Sequence, residues 1–253
     1  FPTNSVLYIL KKSKLRLTDI DHIVFYEKPF LKFERLLETY VSFAPKGFQS
    51  FRKSMPIWMQ NKLYQKKIII DELKKIDDAF TSSNKILFSE HHLSHAASAY
   101  YPSKFDDAVI LTLDAVGEWS TSSVYIGEGN KITRKKEIEF PHSLGLLYSA
   151  FTYYLGFRVN SGEYKVMGLA PYGKPIYKKL ILDNLIDIKE DGSFRMNQRF
   201  FNYATGLTMT NKKFEVLFGK RARKPEIEKL DQFHMDVASS LQEVTELIVL
   251  KIV

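Results

Sequence analysis

Short apolar runs and helical apolar spacings take turns along the chain, and their order predicts mixed α and β structure. Residues 22–26 (His-Ile-Val-Phe-Tyr) form an apolar, β-branched run that reads as a buried strand. Phe33, Leu36, Leu37, Tyr40 and Val41 then recur at helical spacing, ended by Ala44-Pro45-Lys46-Gly47. Residues 58–73 read as one or two further helices, and 85–88 as a second short strand. A helix is expected from about residue 90 to 101, with Ser89 as its cap and Pro102 as its stop. The clearest strand is 108–114. Strands around 122–126 and 132–140 follow, joined by a Glu128-Gly129-Asn130-Lys131 hairpin.

Residues 144–155 predict an apolar helix stopped at Gly156. Glycines, prolines and polar residues over 157–177 predict mostly loop. In residues 232–253, Phe233, Val237, Leu241, Val244, Leu247 and Ile248 mark one face of a long helix. The pattern is α/β or α+β with a β-hairpin layer. Because the chain starts at Phe1 and stops within a helical pattern, it reads as a piece of a longer protein, with exposed apolar surface that favours self-association and leaves a homodimer open.

Composition narrows the chemistry. The 253 residues contain no cysteine, which excludes disulfides, thiolate zinc sites, iron–sulfur clusters and a cysteine nucleophile, and favours a reducing, cytoplasmic setting. No apolar run approaches the roughly 18 residues of a membrane span, so no membrane partner is expected. The net charge of +8 is spread over short clusters with no aromatic interleaving, which weighs against nucleic acid as a partner and allows small anionic substrates. No phosphate loop, dinucleotide fingerprint or serine-hydrolase elbow is present.

Three of the six histidines lie within five residues: His91, His92 and His95. Histidines at i and i+4 share a helix face with Cβ atoms about 5–6 Å apart, close enough for His91 and His95 to hold one metal ion. Asp114 ends the 108–113 run, at a strand end where α/β folds place ligand sites. Two imidazoles and a carboxylate suit Fe²⁺, Mn²⁺ or Zn²⁺; the alternative is a pair of capped or surface-exposed helix histidines and a strand-end aspartate that satisfies turn amides. Gly117, Ser120 and Thr121 offer turn amides and hydroxyls to a phosphate or carbonyl oxygen. In residues 161–173, glycines permit close backbone approach, Lys165 supplies positive charge, and Glu163 is placed to accept ribose hydroxyls.

Four ordered blocks then point to one family. His91-His92-Leu93-Ser94-His95-Ala96-Ala97, Leu113-Asp114-Ala115-Val116-Gly117-Glu118-Trp119, Pro141-His142-Ser143-Leu144-Gly145-Leu146-Leu147-Tyr148, and Ser161-Gly162-Glu163-Tyr164-Lys165-Val166-Met167-Gly168-Leu169-Ala170-Pro171-Tyr172-Gly173 together resemble the NodU/CmcH family of O-carbamoyltransferases. The likeness also covers Asp19-Ile20-Asp21 through Phe25-Tyr26-Glu27-Lys28-Pro29, Lys32-Phe33-Glu34-Arg35, and the helix with Ser240-Leu241-Gln242-Glu243.

The resemblance implies an actin-like, ribonuclease H-like domain of the sugar kinase–Hsp70 type, related to the subunits that transfer threonylcarbamoyl to tRNA. It implies that a YrdC-like domain makes carbamoyl adenylate from ATP and carbamoyl phosphate, and that the carbamoyl group passes to a hydroxyl of a sugar, antibiotic or lipo-oligosaccharide. By the same resemblance His91, His95 and Asp114 are the metal ligands, with iron the usual metal. Gly117, Glu118, Trp119, Ser120, Thr121, Gly145, Gly162, Glu163 and Lys165 fall in regions that line the carbamoyl adenylate pocket. The chain matches the middle of the amino-terminal domain. An initial hairpin with the expected catalytic base, a second half and the YrdC-like domain are expected outside it. Within it, His142 is the substitute candidate for the base. Ala115 departs from the family's glycine, which would cost about 1 kcal/mol if that position required a positive φ. A tRNA-directed threonylcarbamoyl relative and a non-catalytic nucleotide-binding relative are the alternatives.

Overall fold

The computed structural model describes the backbone of all 253 residues and the side chains of all but 61 and 62. Its first part comprises α1 (Thr3–Ser13), β1 (Ile23–Phe25), α2 (Pro29–Ser42), α3 (Phe48–Trp58), α4 (Gln65–Lys74) and β2 (Ile86–Phe88). β1 and β2 pair in parallel, Ile23 against Ile86 and Phe25 against Phe88; parallel neighbours need a long crossover, and α2 to α4 supply it. Leu17, Ile69, Leu73, Phe80 and Ile86 are the core here. Ile23 and Phe25 pack on that core, whereas Val24, on the opposite face, is 59% exposed. The strand expected to be buried is therefore covered on one side.

α5 (His91–Tyr100) leads into a three-stranded antiparallel sheet in the order β3 (Asp107–Leu113), β4 (Ser120–Glu128), β5 (Lys131–Glu139). The expected hairpin closes with Glu128 opposite Lys131, and Gly129 takes the positive φ (55°) that a two-residue turn requires. β3 is an edge strand with one face toward α5. Ile110 and Thr112 are buried there, while Val109 is 71% exposed, so β3 is covered on one face only. Ala96, Tyr100, Ile110 and Tyr125 join helix to sheet.

The largest core lies in the remainder: α6 (Leu144–Tyr154), α7 (Glu163–Leu169), α8 (Lys178–Asn184), β6 (Ile186–Ile188), β7 (Phe194–Met196), α9 (Lys212–Phe218) and α10 (Gln232–Ile252). Val237, Leu241, Val244 and Ile248 are fully buried along α10, at the spacing read from the sequence. The 157–177 segment is loop at both ends, as expected, but carries helical structure in its middle that the sequence did not indicate. Val166, Leu169 and Ala170 recur at i, i+3, i+4 and are buried against this core, and that burial makes residues 163–172 helical despite the glycine at 168. Gly173 follows because a Cβ there would lie within van der Waals overlap of the Met235 carbonyl on α10.

Candidate metal centre

Among the described residues, three side chains converge on one point: His91 and His95 from α5, and Asp114 from the turn after β3. His91 Nε2 lies 2.8 Å from Asp114 Oδ2 and 3.0 Å from His95 Nε2, and His95 Nε2 lies 3.8 Å from Asp114 Oδ2. Donors bonded at ~2.1 Å around an octahedral or tetrahedral ion are themselves ~3.0–3.4 Å apart, so the three separations bracket what a shared cation requires. The donor set, two imidazole nitrogens and a carboxylate oxygen, fits Fe²⁺, Mn²⁺ or Zn²⁺. The hydrogen bond with His91 holds the Asp114 carboxyl down at about 2, aided by the Ala115 amide and opposed by burial, so Asp114 is an anion throughout the neutral range.

The surrounding residues fix these three. The first turn of α5 has no side-chain cap of its own, so the expected capping by Ser89 does not occur. Glu118, reaching back from the turn beyond Asp114, accepts the His91 amide at 3.0 Å and the Lys28 amide at 2.7 Å. It thus places a buried carboxylate at the N-termini of both α2 and α5, where helix dipoles favour negative charge. Behind α5, His92 is buried with Nδ1 2.9 Å from both Ser123 Oγ and Thr112 Oγ1; its burial lowers its pKa to about 4, so it is neutral. Glu27 is buried, 2.7 Å from Lys32 Nζ, with one oxygen 4.0 Å from His91 Nδ1. Arg35, also buried, stacks on Phe140 and faces the charges of Glu27 and Glu118; burial lowers its pKa to about 10.

The Asp114 turn is held from the other side by α6. Ser143, the α6 N-cap, donates to the Ala115 carbonyl at 2.6 Å and accepts the Leu146 amide. Gly145 sits so close that a Cβ would lie 2.6 Å from the Asp114 carbonyl oxygen. Gly145 is thus a docking glycine. Gly117 has a comparable role, since a Cβ there would lie 3.0 Å from the His92 ring. Ala115 does not have positive φ, so its departure from the family's glycine costs no backbone strain.

The other sequence-nominated residues divide. Trp119 and Ser120 line a cavity of about 130 Å³ with Glu118, His92 and Arg134. Thr121 is fully buried and bonds the His142 carbonyl at 2.6 Å. His142 accepts the Met196 amide at Nδ1, 3.0 Å away, and burial lowers its pKa. With that nitrogen spent on β7, the ring braces the fold, and the geometry does not favour it as a base. Gly162, Glu163 and Lys165 lie at the start of α7. There Glu163 accepts from Asn160 N, Gly162 N and Ser149 Oγ, and Lys165 is exposed. No described contact joins them to His91, His95 or Asp114, but α6 links the two groups: Ser143 grips the Asp114 turn and Ser149 grips Glu163, about 9 Å apart along the helix. Glu27, Lys28, Lys32 and Arg35 were not singled out from the sequence; the signal was their place in a block shared with the family.

The chain is 58% identical over its whole length to an uncharacterised Synechocystis protein, sll1178, covering 41% of that protein. It is 31% identical over 98% of its length to the nodulation protein NolNO of Sinorhizobium fredii, covering 33% of it. It is also 31% identical over 63% of its length to the nodulation protein NolO of Bradyrhizobium diazoefficiens, covering 27% of that chain. The chain therefore spans about two fifths or less of these relatives. No helix among the described residues is long and apolar enough to cross a membrane. The family described as carbamoyltransferase N-terminus matches residues 1–253, the stretch in which the two histidines and the aspartate meet, and the chain belongs to that family.

Proposed function

We propose that this chain is the metal-binding and donor-binding part of an O-carbamoyltransferase. The observation that carries the reading is the convergence of His91 Nε2, His95 Nε2 and Asp114 Oδ2, held by Glu118 and Ser143 from opposite sides. A divalent cation bound there, Fe²⁺ by resemblance and Mn²⁺ or Zn²⁺ by donor chemistry, supplies Lewis-acid polarisation of a carbonyl oxygen. His91, His95 and Asp114 hold it, and Asp114 contributes the negative charge.

In this reading the donor is carbamoyl adenylate, formed elsewhere in the full-length protein from ATP and carbamoyl phosphate. The start of α7, with Gly162, Glu163 and exposed Lys165, is on the nucleotide side, and α6 spaces it from the Asp114 turn. The acceptor is a hydroxyl of a sugar, antibiotic or lipo-oligosaccharide. Its oxygen attacks the carbamoyl carbon, the bond to the adenylate phosphate oxygen breaks, AMP leaves, and the hydroxyl proton passes to a base. The antiparallel β3–β4–β5 meander followed by α6 is consistent with an actin-like domain.

The test is metal content and carbamoyl transfer in the full-length protein, purified without oxygen, as wild type and as His91→Ala and Asp114→Ala. About one metal ion per chain in the wild type is expected, with less than a tenth retained and transfer reduced at least 100-fold in both variants. Full metal retention in both would overturn the reading.

A further inference from the structure

His91 has a second ring nitrogen that the metal reading leaves unused. With Nε2 turned to Asp114 and His95, Nδ1 points into the protein, is fully buried and makes no hydrogen bond. A neutral imidazole that ligates through Nε2 carries its proton on Nδ1, and a buried N–H without an acceptor is unfavourable. The nearby carboxylate oxygen is Glu27 Oε2, 4.0 Å away, about 1 Å beyond hydrogen-bond range. Glu27 is 1% exposed, comes from the segment between β1 and α2, and is held by Lys32 at 2.7 Å. The neighbouring residue, Lys28, donates its amide to Glu118, which also accepts the amide of His91. The backbone on both sides of the gap is thus tied to one carboxylate, and a small rotation of either side chain closes it.

We infer that Glu27 is the positioning residue for His91: its carboxylate accepts the Nδ1 proton, fixes the tautomer that presents Nε2 to the cation, and strengthens that nitrogen as a donor. This inference rests on the metal reading above. Carboxylates in this position are worth about 10–100-fold in metal affinity. Glu27 is not one of the three converging donors, and it acts through His91.

The experiment is zinc affinity of the full-length protein, measured by competition with a chromophoric chelator, alongside the melting temperature of the metal-free protein. Glu27→Gln is expected to weaken zinc about 10–100-fold. Glu27→Asp, which keeps the charge but retracts it by one methylene, is expected to weaken it less. On a His91→Ala background Glu27→Gln should change affinity less than twofold, and on a His95→Ala background its full effect should persist. That coupling separates action through His91 from a general loss of structure. Wild-type affinity in Glu27→Gln, or an equal loss with and without His91, overturns the inference. If Glu27→Gln does not fold, Glu27→Asp decides: weaker zinc with an unchanged metal-free melt supports it, and unchanged zinc overturns it. Wild-type affinity in His91→Ala alone would instead remove the metal reading, and this inference with it.

Discussion

Replacing Glu118 separates two roles that the sequence left mixed. As a pocket residue, Glu118 would alter nucleotide binding and leave the fold alone. As the structure has it, one buried carboxylate accepts the Lys28 amide at 2.7 Å and the His91 amide at 3.0 Å, at the starts of two helices. Hydrogen bonds to a charged acceptor contribute about 1.5–3 kcal/mol each, so Glu118→Ala, which removes both, is expected to cost at least roughly 3 kcal/mol locally. Loss of the negative charge facing buried Arg35 adds to that cost. Glu118→Gln keeps an oxygen within reach of both amides and gives up the charge, for about 1 kcal/mol. Hydrogen exchange of the full-length protein reads this directly. Protection of the His91 and Lys28 amides should fall about 100-fold in Glu118→Ala and about 5-fold in Glu118→Gln, since about 1.4 kcal/mol corresponds to a factor of ten. Unchanged protection in Glu118→Ala, with a raised KM for the nucleotide, would refute the clamp and restore the pocket role.

Two further outcomes are expected. Gly145→Ala gains about 1 kcal/mol of helix propensity but drives a methyl against the Asp114 carbonyl at 2.6 Å; overpacking against backbone costs about 1–3 kcal/mol, so the net effect is destabilising and should appear as weaker metal binding in a chelator titration. His92 stays neutral when folded because burial lowers its pKa to about 4, whereas the unfolded chain takes up a proton near pH 6.5. The unfolded state thus binds more protons between these values, and stability falls as pH drops from 6.5 to 4, by up to about 3 kcal/mol. Denaturant titrations at several pH values should give a shallower acid slope in His92→Gln, and an identical slope would contradict the assignment.

What the sequence determined by itself is the part set by local periodicity and fixed spacing. The i, i+4 histidines share a face of α5 because a helix turns 100° per residue, and Asp114 follows a strand because six apolar and β-branched residues precede it. The α10 stripe, the hairpin at Gly129 and the α6 helix were legible for the same reason. Helicity over residues 163–172 was not, because glycine and proline there oppose it locally and only burial against α6 and α10 decides it. Glu118, Glu27 and Gly145 were likewise beyond local reading. Their roles depend on which backbone or ring nitrogen lies within about 3–4 Å after folding, with partners up to 90 residues away, as between Glu118 and Lys28. The ligands are written in the spacing of the chain; the groups that orient them exist only once β1, α5, the Asp114 turn and α6 have packed together.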